Sequence, residues 1–366
     1  MPGMNKLRLL LAAAAIGGAG LLQAAHPARA ATPVKVAFIT VDPLSGSAWT
    51  QSWDTARKQL VAALHVQTVV VGPAPENNQV AAEANDLIAK GYNVIVGEDF
   101  AFQPFLHQVA VAHPDVKFIL TGPNIEPPLP NVSTVYNNLW QVRYVEGVLA
   151  GLTTKSNTLG FVAAHAIPSV IAGINGFELG ALSVNPKAQT IVVQTGQWYS
   201  PEAATRAAET LAARGADVIA QHEDDTGTLL GAEQAHVMAM GSEADTSAVA
   251  PGTYLSGSVY HWGLWLIPTV KTVIDGTWKA EDFSGSLKTG LVSLGPINAS
   301  VPPDVVAKVK TVEQGVEDGT ISVFTGPIAF NDGTVMVPAG SSLQGPGEVY
   351  PKQTGFVKGV IGNVKG

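Results

Sequence analysis

The chain contains no cysteine. That excludes a disulfide framework, a thiolate metal site, a Cys nucleophile and a lipidated cysteine after an export leader. Beyond residue 30 there is no apolar, uncharged run long enough to span a bilayer. Basic residues are also scarce. Three of the 21 Lys+Arg and none of the 29 Asp+Glu fall in the first thirty residues, so 18 face 29 thereafter, a formal charge of −11. Such a surface argues against nucleic acid or anionic lipid as a partner. The G-x-S-x-G, H-E-x-x-H, P-loop and G-x-G-x-x-G patterns are missing too. The eight histidines are scattered, His107 and His113 being the nearest candidate pair, and no carboxylate lies at a helical interval to complete a metal site. No metal and no cofactor is expected.

What is present begins with a leader. Lys6 and Arg8 precede an apolar stretch from Leu9 to about Leu22, and Ala28-Arg29-Ala30 follows. This is the pattern of a secretory signal peptide over residues 1–30, with cleavage before Ala31. The expectation is an exported, periplasmic protein that is not a lipoprotein. The remaining chain, in a sequence of 366 residues with 46% apolar composition, is long enough for two lobes.

From Val34 on, short Val/Ile-rich runs alternate with longer amphipathic segments: "VKVAFIT", "QTVVV", "NVIVG" and "KFILT", and again from "TLGFVAA" through "QTIVVQT", "ADVIAQ" and "HVMAM". Strands alternating with helices predict parallel sheets built from βαβ units. Within this lies an echo. "LIAKGYNVIVGE" (Leu87 to Glu98) and "LAARGADVIAQH" (Leu211 to His222) share a helix end, a glycine stop and a buried strand. Two Rossmann-like lobes on one plan follow from it. No low-complexity linker parts them, so the chain is expected to cross between lobes more than once. The expected division puts about 31–138 plus 259–325 in the first lobe and about 142–257 plus 326–366 in the second. A hairpin is expected at Asn331-Asp332-Gly333.

Chemistry-bearing residues gather where strands end. "DPLSGSAWTQSWDTARKQL" places Trp49 and Trp53 on one face of a helix over Ala48 to Leu60, since residues four apart share a face. Asp99 and Phe100, Tyr136 to Asn138, His165, Trp198, the "QHEDD" run with His222 and Asp224, Glu243 and Asp245, and Tyr260 to Trp262 follow other strands. Taken singly, each is an ordinary loop or core residue. Together they line one edge of both lobes, and in open α/β sheets ligands bind outside the carboxyl ends of the strands. Aromatic plates and hydrogen-bonding groups with no organised nucleophile–base pair fit a small-molecule binder better than a catalyst.

At this point the sequence resembles the basic membrane protein, or PnrA-like, family of ABC-transporter substrate-binding proteins. The stretches that carry the resemblance are "IPSVIAGINGFELGALSVNP", "GADVIAQHEDD", "GTWKAEDFSGSLKTGLVSLGP", "FTGPI" and "GFVKGVIG", with "QVRYVEGVLAGLTTKSNTLGFVAA" as the helix leading from one lobe to the other. The resemblance implies a type 1 periplasmic-binding-protein fold with a multi-crossing hinge, a purine base or nucleoside as ligand, an inner-membrane ABC permease as partner, and a monomer. It places Trp49 on the base-stacking loop, Asn175 on the ligand-facing helix of the second lobe, and Trp198 on the next loop. Glu243 and Asp245 fall in the family's Gly-x-Asp-x-Asp segment, and Trp262 in its crossover. With Trp53, Asp99, Asn138, His222 and Asp224 these form the expected ligand-binding set, for an adenine-like base.

The sequence departs from the family pattern at Ser45-Gly46, where relatives often have Gly-Asp, at His165-Ala166, at Ser169 in place of an acid, and at Glu243 in place of Asp. Each alters shape or hydrogen bonding around the ligand. Two rival readings remain at this stage: a nucleoside or non-purine receptor for transport or chemosensing, and a secreted hydrolase using Asp224 or Glu223 with His222.

Overall fold

The computed structural model describes residues 33–123 and 126–364. The expected leader and its cleavage site lie outside the described residues. The first half runs β1 (Lys35–Ile39), α1 (Ala48–Leu64), β2 (Gln67–Val71), α2 (Gln79–Ala89), β3 (Val94–Gly97), α3 (Gln103–Ala112), β4 (Lys117–Thr121) and β5 (Val132–Asn137). Helix α4 (Leu139–Thr153) then leads to β6 (Thr158–Ala163), α5 (Pro168–Val184), β7 (Gln189–Gln194), α6 (Pro201–Ala213), β8 (Val218–His222), α7 (Gly227–Gln234), β9 (Met238–Gly241) and β10 (Tyr254–Tyr260). After them come α8 (Gly263–Ile274), β11 (Asp282–Gly285), β12 (Val292–Leu294) and α9 (Pro303–Glu317).

Two sheets result, ordered β11-β5-β4-β3-β1-β2 and β12-β10-β9-β8-β6-β7, the second extended beyond β7 by a short C-terminal strand, Val360–Ile361. Stripped of the outer strands, both have the order 5-4-3-1-2, and all pairings except β10 with β12 are parallel. The repeated plan read in the sequence is thus the repeated topology. The echo itself has one geometry in both copies. Helix α2 ends at Gly91 (φ 87°) with the Tyr92 amide donating to the Leu87 carbonyl, and α6 ends at Gly215 (φ 95°) with Ala216 donating to Leu211, each bond 3.1 Å. A left-handed residue that stops a helix falls to glycine because Cβ is absent. The strands β1, β3 and β8 are buried along nearly their whole length, which is why they read as continuous apolar runs.

The chain passes between the sheets at α4, between β10 and β11, and between β11 and β12. The expected division is corrected at one place. Residues 259–325 were assigned together to the first lobe, but β12 pairs antiparallel with β10 in the second sheet while β11 joins the first. β11 itself, "DFSG", has no apolar run to announce it. The expected hairpin is present: Ile328–Ala329 pairs with Val335–Val337 around Gly333 (φ 85°). Helices α4 and α5 approach backbone to backbone. A Cβ at Gly147 would overlap the Phe177 carbonyl, and one at Gly180 would overlap that of Tyr144.

Candidate functional site

The strand order reverses beside β1 in the first sheet and beside β6 in the second, and at these switch points the loops part to leave a crevice. Every residue around the cavity found there lies at the carboxyl end of a strand, or in the loop or first helical turn that follows it. From the first sheet come Trp49, Asp99, Phe100, Thr121, Tyr136, Asn137 and Leu139; from the second come Ile167, Ser169, Trp198, His222, Asp224, Glu243 and Tyr260. The space open to the centre of a water-sized sphere is about 60 Å³, several times the roughly 10–15 Å³ one ordered water needs.

The lobes touch around this cavity. Ser47 caps α1 through its hydroxyl, which accepts from the Thr50 amide, and the next amide, Ala48, donates across to the Asp224 carbonyl at 2.6 Å. Ser47 and Asp225 form an antiparallel bridge beside it. The structure is therefore that of a closed pair of lobes.

Two aromatic groups frame the cavity. Trp49 is met by Trp53, Tyr260 and Trp262 at interplanar angles of 72°, 90° and 79°, so none of these rings lies parallel to it. From the other lobe Trp198 is met by Phe100 at 80°, His165 at 67° and His222 at 55°. Four residues that line the cavity carry a polar atom buried without a protein partner: Trp49 Nε1, Thr121 Oγ1, His222 Nδ1 and Glu243 Oε2. An unpaired buried polar group costs about 1–3 kcal/mol, so four in one cavity constitute an invitation to a ligand with both donors and acceptors.

The electrostatics are set by burial. His222 is pulled down to about 3, by its own burial and by the nearby Arg143 guanidinium, and so is a neutral imidazole. Burial pushes Asp99 up to about 7 although its Oδ1 accepts from the Ala101 amide. Asp224 and Glu243 are raised well above the usual carboxylate range, both by desolvation first; the charges of Glu243 and Asp42 add to the rise at Asp224, and that of Asp42 adds to the rise at Glu243 against the lowering effect of Arg143. Arg143, wholly buried on α4, donates to Glu146 at 2.7 Å and to Ser242 at 2.8 Å and so sits directly under the Glu243 turn. Glu243 has φ 74°. A left-handed conformation at a non-glycine residue costs about 1–3 kcal/mol and persists where its surroundings enforce it.

Of the residues expected from sequence, Trp49, Asp99, Trp198, His222, Asp224 and Glu243 meet around the cavity. Five do not. Trp53 and Trp262 stack on each other behind Trp49, with Trp262 Nε1 donating to Ser52 Oγ. Asn138 accepts from Ser284 Oγ. Asn175 faces the C-terminal segment rather than the cavity: its amide donates to Gln353 and to the Gly355 carbonyl, and its oxygen accepts from Val357. Asp245 is exposed and caps its own turn at Ser247. Phe100, Tyr136, Asn137 and Tyr260, which the sequence places at strand ends but which stand outside the expected ligand-binding set, line the cavity, as does Ser169, where the sequence departs from the family pattern. Thr121, Leu139 and Ile167 line it too, and their residue types carry no mark in the sequence. Glu223 is held by the Thr195 hydroxyl and takes no part in the cavity, so it forms no dyad with His222 there. Among the described residues no group of His, Asp and Glu is arranged to hold a metal ion, and no helix is long and apolar enough to cross a membrane.

Two similar lobes with parallel sheets, closing on a cavity at their switch points, make the type 1 periplasmic-binding-protein fold. Solved ABC-transporter solute-binding proteins share it: one from Conexibacter woesei superposes with a TM-score of 0.67 at 22% identity, covering 79% of this chain and 97% of its own, and one from Aeropyrum pernix with 0.69 at 18% identity, covering 81% and 93%. The particular family follows from the sequence. Residues 33–323 match the model of the PnrA-like ABC-transporter substrate-binding proteins, and the chain belongs to that family. A purine-binding protein of Brucella abortus is 34% identical over 330 residues, covering 89% of this chain and 92% of its own length. A Haloferax volcanii protein provisionally assigned to glucose binding in ABC transport is 28% identical over 341 residues, covering 90% and 81%. Proteins of this class bind small molecules and work with a permease.

Proposed function

We propose that this chain is the exported, monomeric receptor of an ABC uptake system and that it binds a purine nucleobase, adenine-like, in the cleft between its lobes. The observation that carries the reading is the pair Trp49 and Trp198, one from each lobe, on a cavity whose lining residues also carry buried donors and acceptors without a protein partner, and with no ring stacked on either indole. A flat heterocycle slides between such plates, and its ring nitrogens and exocyclic group meet Glu243, Asp224, His222 and Thr121. The similarity to the Brucella purine-binding protein supports the same class of ligand.

Stacking on an indole contributes about 1–3 kcal/mol. Micromolar binding needs about 8 kcal/mol, so hydrogen bonds inside the closed, dry cleft supply the rest. The small cavity favours the base over its riboside, which has almost twice the non-hydrogen atoms. A riboside reading keeps one observation in its favour, the pair of carboxyls Asp224 and Glu243 beside the cavity, which suit a diol. Export with cleavage after Ala30 and delivery to an inner-membrane permease complete the proposal. Native mass spectrometry of protein purified from its host tests it. A bound purine base supports the reading, and a co-purifying sugar or other non-purine ligand overturns it.

A further inference from the structure

We propose that closure of the cleft takes up protons from solvent, through a cluster of carboxyls, Asp42, Asp224 and Glu243, that forms only when the two lobes meet. Asp42 follows β1 in the first lobe; Asp224 and Glu243 follow β8 and β9 in the second. The closing turn sets the buried Asp42 and Asp224 carboxyls side by side, and Asp224 and Glu243 line one cavity. Carboxyls buried together in this way cannot all stay ionised. The closed cluster therefore holds a proton that the separated, hydrated groups do not.

The bond between lobes is built into the closing contact. Ser47 Oγ donates to Asp42 Oδ2 at 3.1 Å while the neighbouring Ala48 amide donates to the Asp224 carbonyl at 2.6 Å. The Asp42 carboxyl is thus oriented by the same turn that touches the other lobe. Separating the lobes parts Asp42 from Asp224 and returns both groups to water, where each ionises in the ordinary range near 4. Closing reverses this: two hydrated carboxylates become one buried pair, and the proton it holds comes from the buffer.

The surroundings act in the same direction. Glu76 and Asp225 face Asp42, Asp99 faces Asp224, and Asp225 faces Glu243 as well. The opposing charge is Arg143, which acts on Glu243 but donates its own hydrogen bonds to Glu146 and Ser242. His222 lines the same cavity as a neutral ring, and the Tyr260 hydroxyl is raised by its burial beside Glu243. Burial raises all three carboxyls of the cluster above their usual values. The sign follows. Groups raised in the closed state favour closure fully below the ordinary carboxylate range, and that contribution is lost as pH climbs through the raised values. Ligand is held more tightly in acid.

The proposal rests on the reading of the cleft as a base site only for the choice of probe. Adenine is titrated calorimetrically at about pH 6 and about pH 8, each in two buffers of different protonation heat. The expected result for the wild type is uptake of up to about one proton per adenine through the inter-lobe pair, with affinity falling by up to about 10-fold per pH unit per proton coupled. Asp42→Asn supplies an amide that does not titrate, so it binds adenine in acid and loses most of the pH slope. Heats independent of buffer with pH-independent affinity overturn the proposal, as does an Asp42→Asn slope equal to that of the wild type. If adenine does not bind, the base reading fails and the coupling is read from the free protein. Small-angle scattering then shows a smaller radius of gyration at about pH 5 than at about pH 8, less so in Asp42→Asn, and a radius indifferent to pH overturns it.

Discussion

Trp53 and Trp262 lie face to face, their ring centroids 4.6 Å apart and their planes 7° from parallel. They come from α1 and from the crossing between β10 and α8, both are almost wholly buried, and together they form the wall against which Trp49 stands. Two tryptophans one helical turn apart therefore have different duties. Trp49 faces the cavity, and Trp53 belongs to the core.

Replacing Trp53 by Ala removes a fully buried indole and its stacking partner. Truncations of this size cost about 3–5 kcal/mol. The expected outcome is a large drop in thermal midpoint, with Trp53→Phe much milder. A thermal melt of both variants checks it, and a Trp53→Ala melt equal to the wild type contradicts the core role.

Gly147→Ala forces a methyl onto the Phe177 carbonyl where α4 and α5 meet. The helices must separate, and overpacking of this kind costs about 1–3 kcal/mol or more. Because the obstacle is backbone rather than the end of a flexible side chain, the effect should sit at the upper end. Gly196→Ala, where no atom lies within 4 Å but φ is 75°, isolates the cost of the backbone conformation alone. Denaturant midpoints of the two variants should differ, with Gly147→Ala the less stable.

Glu98 is buried at the end of β3, where its Oε1 accepts from the Val41 amide at 2.8 Å and from Thr50 Oγ1 at 2.7 Å. Burial pushes it up to about 8 from 4.5. A carboxyl raised on folding stabilises fully below the unfolded value, and that contribution is lost as pH rises from about 4.5 to about 8. Each unit is worth about 1.4 kcal/mol, so the total is several kcal/mol. Glu98→Gln keeps the accepting oxygen and does not titrate. Its melting point relative to wild type should rise steadily from about pH 5 to about pH 8, and a constant difference would show that Glu98 ionises normally.

Much of the fold is legible in the sequence because both sheets are covered on both faces. Their strands then appear as unbroken Val/Ile runs, and glycine marks the same helix end at Gly91 and Gly215. β11 escapes notice because it is a short strand with polar residues, whereas β12 is legible as a strand in "TGLVSLG" but not its sheet, since nothing local tells which sheet an antiparallel strand joins. At the site, residues with a distinctive chemistry standing at strand ends were recognisable: Trp49, Trp198, His222 and Glu243. Asn175 and Asp245 carried the same polar character but spend it on the Gln353 side chain and on the backbone of Gly355, Val357 and Ser247, contacts that no periodicity reveals. Thr121 and Ser169 line the cavity as residue types found in any loop.

The contacts that join Ala48 to Asp224 and Ser47 to Asp225 exist only with the lobes together. Hinged closure around a ligand is a common motion for paired lobes. Saturating ligand should therefore reduce the radius of gyration in small-angle scattering, and an unchanged radius with confirmed tight binding would count against a hinge.

If Trp49 is a plate for a purine base, its removal must show in the binding of that base. Calorimetric titration of adenine, guanine, hypoxanthine and their ribosides into the wild type and Trp49→Ala measures this. A base should bind more tightly than its riboside, and Trp49→Ala should weaken the base by about 10-fold or more with little change in melting point. Tighter binding of ribosides, or a Trp49→Ala variant that binds the base as the wild type does, contradicts that role.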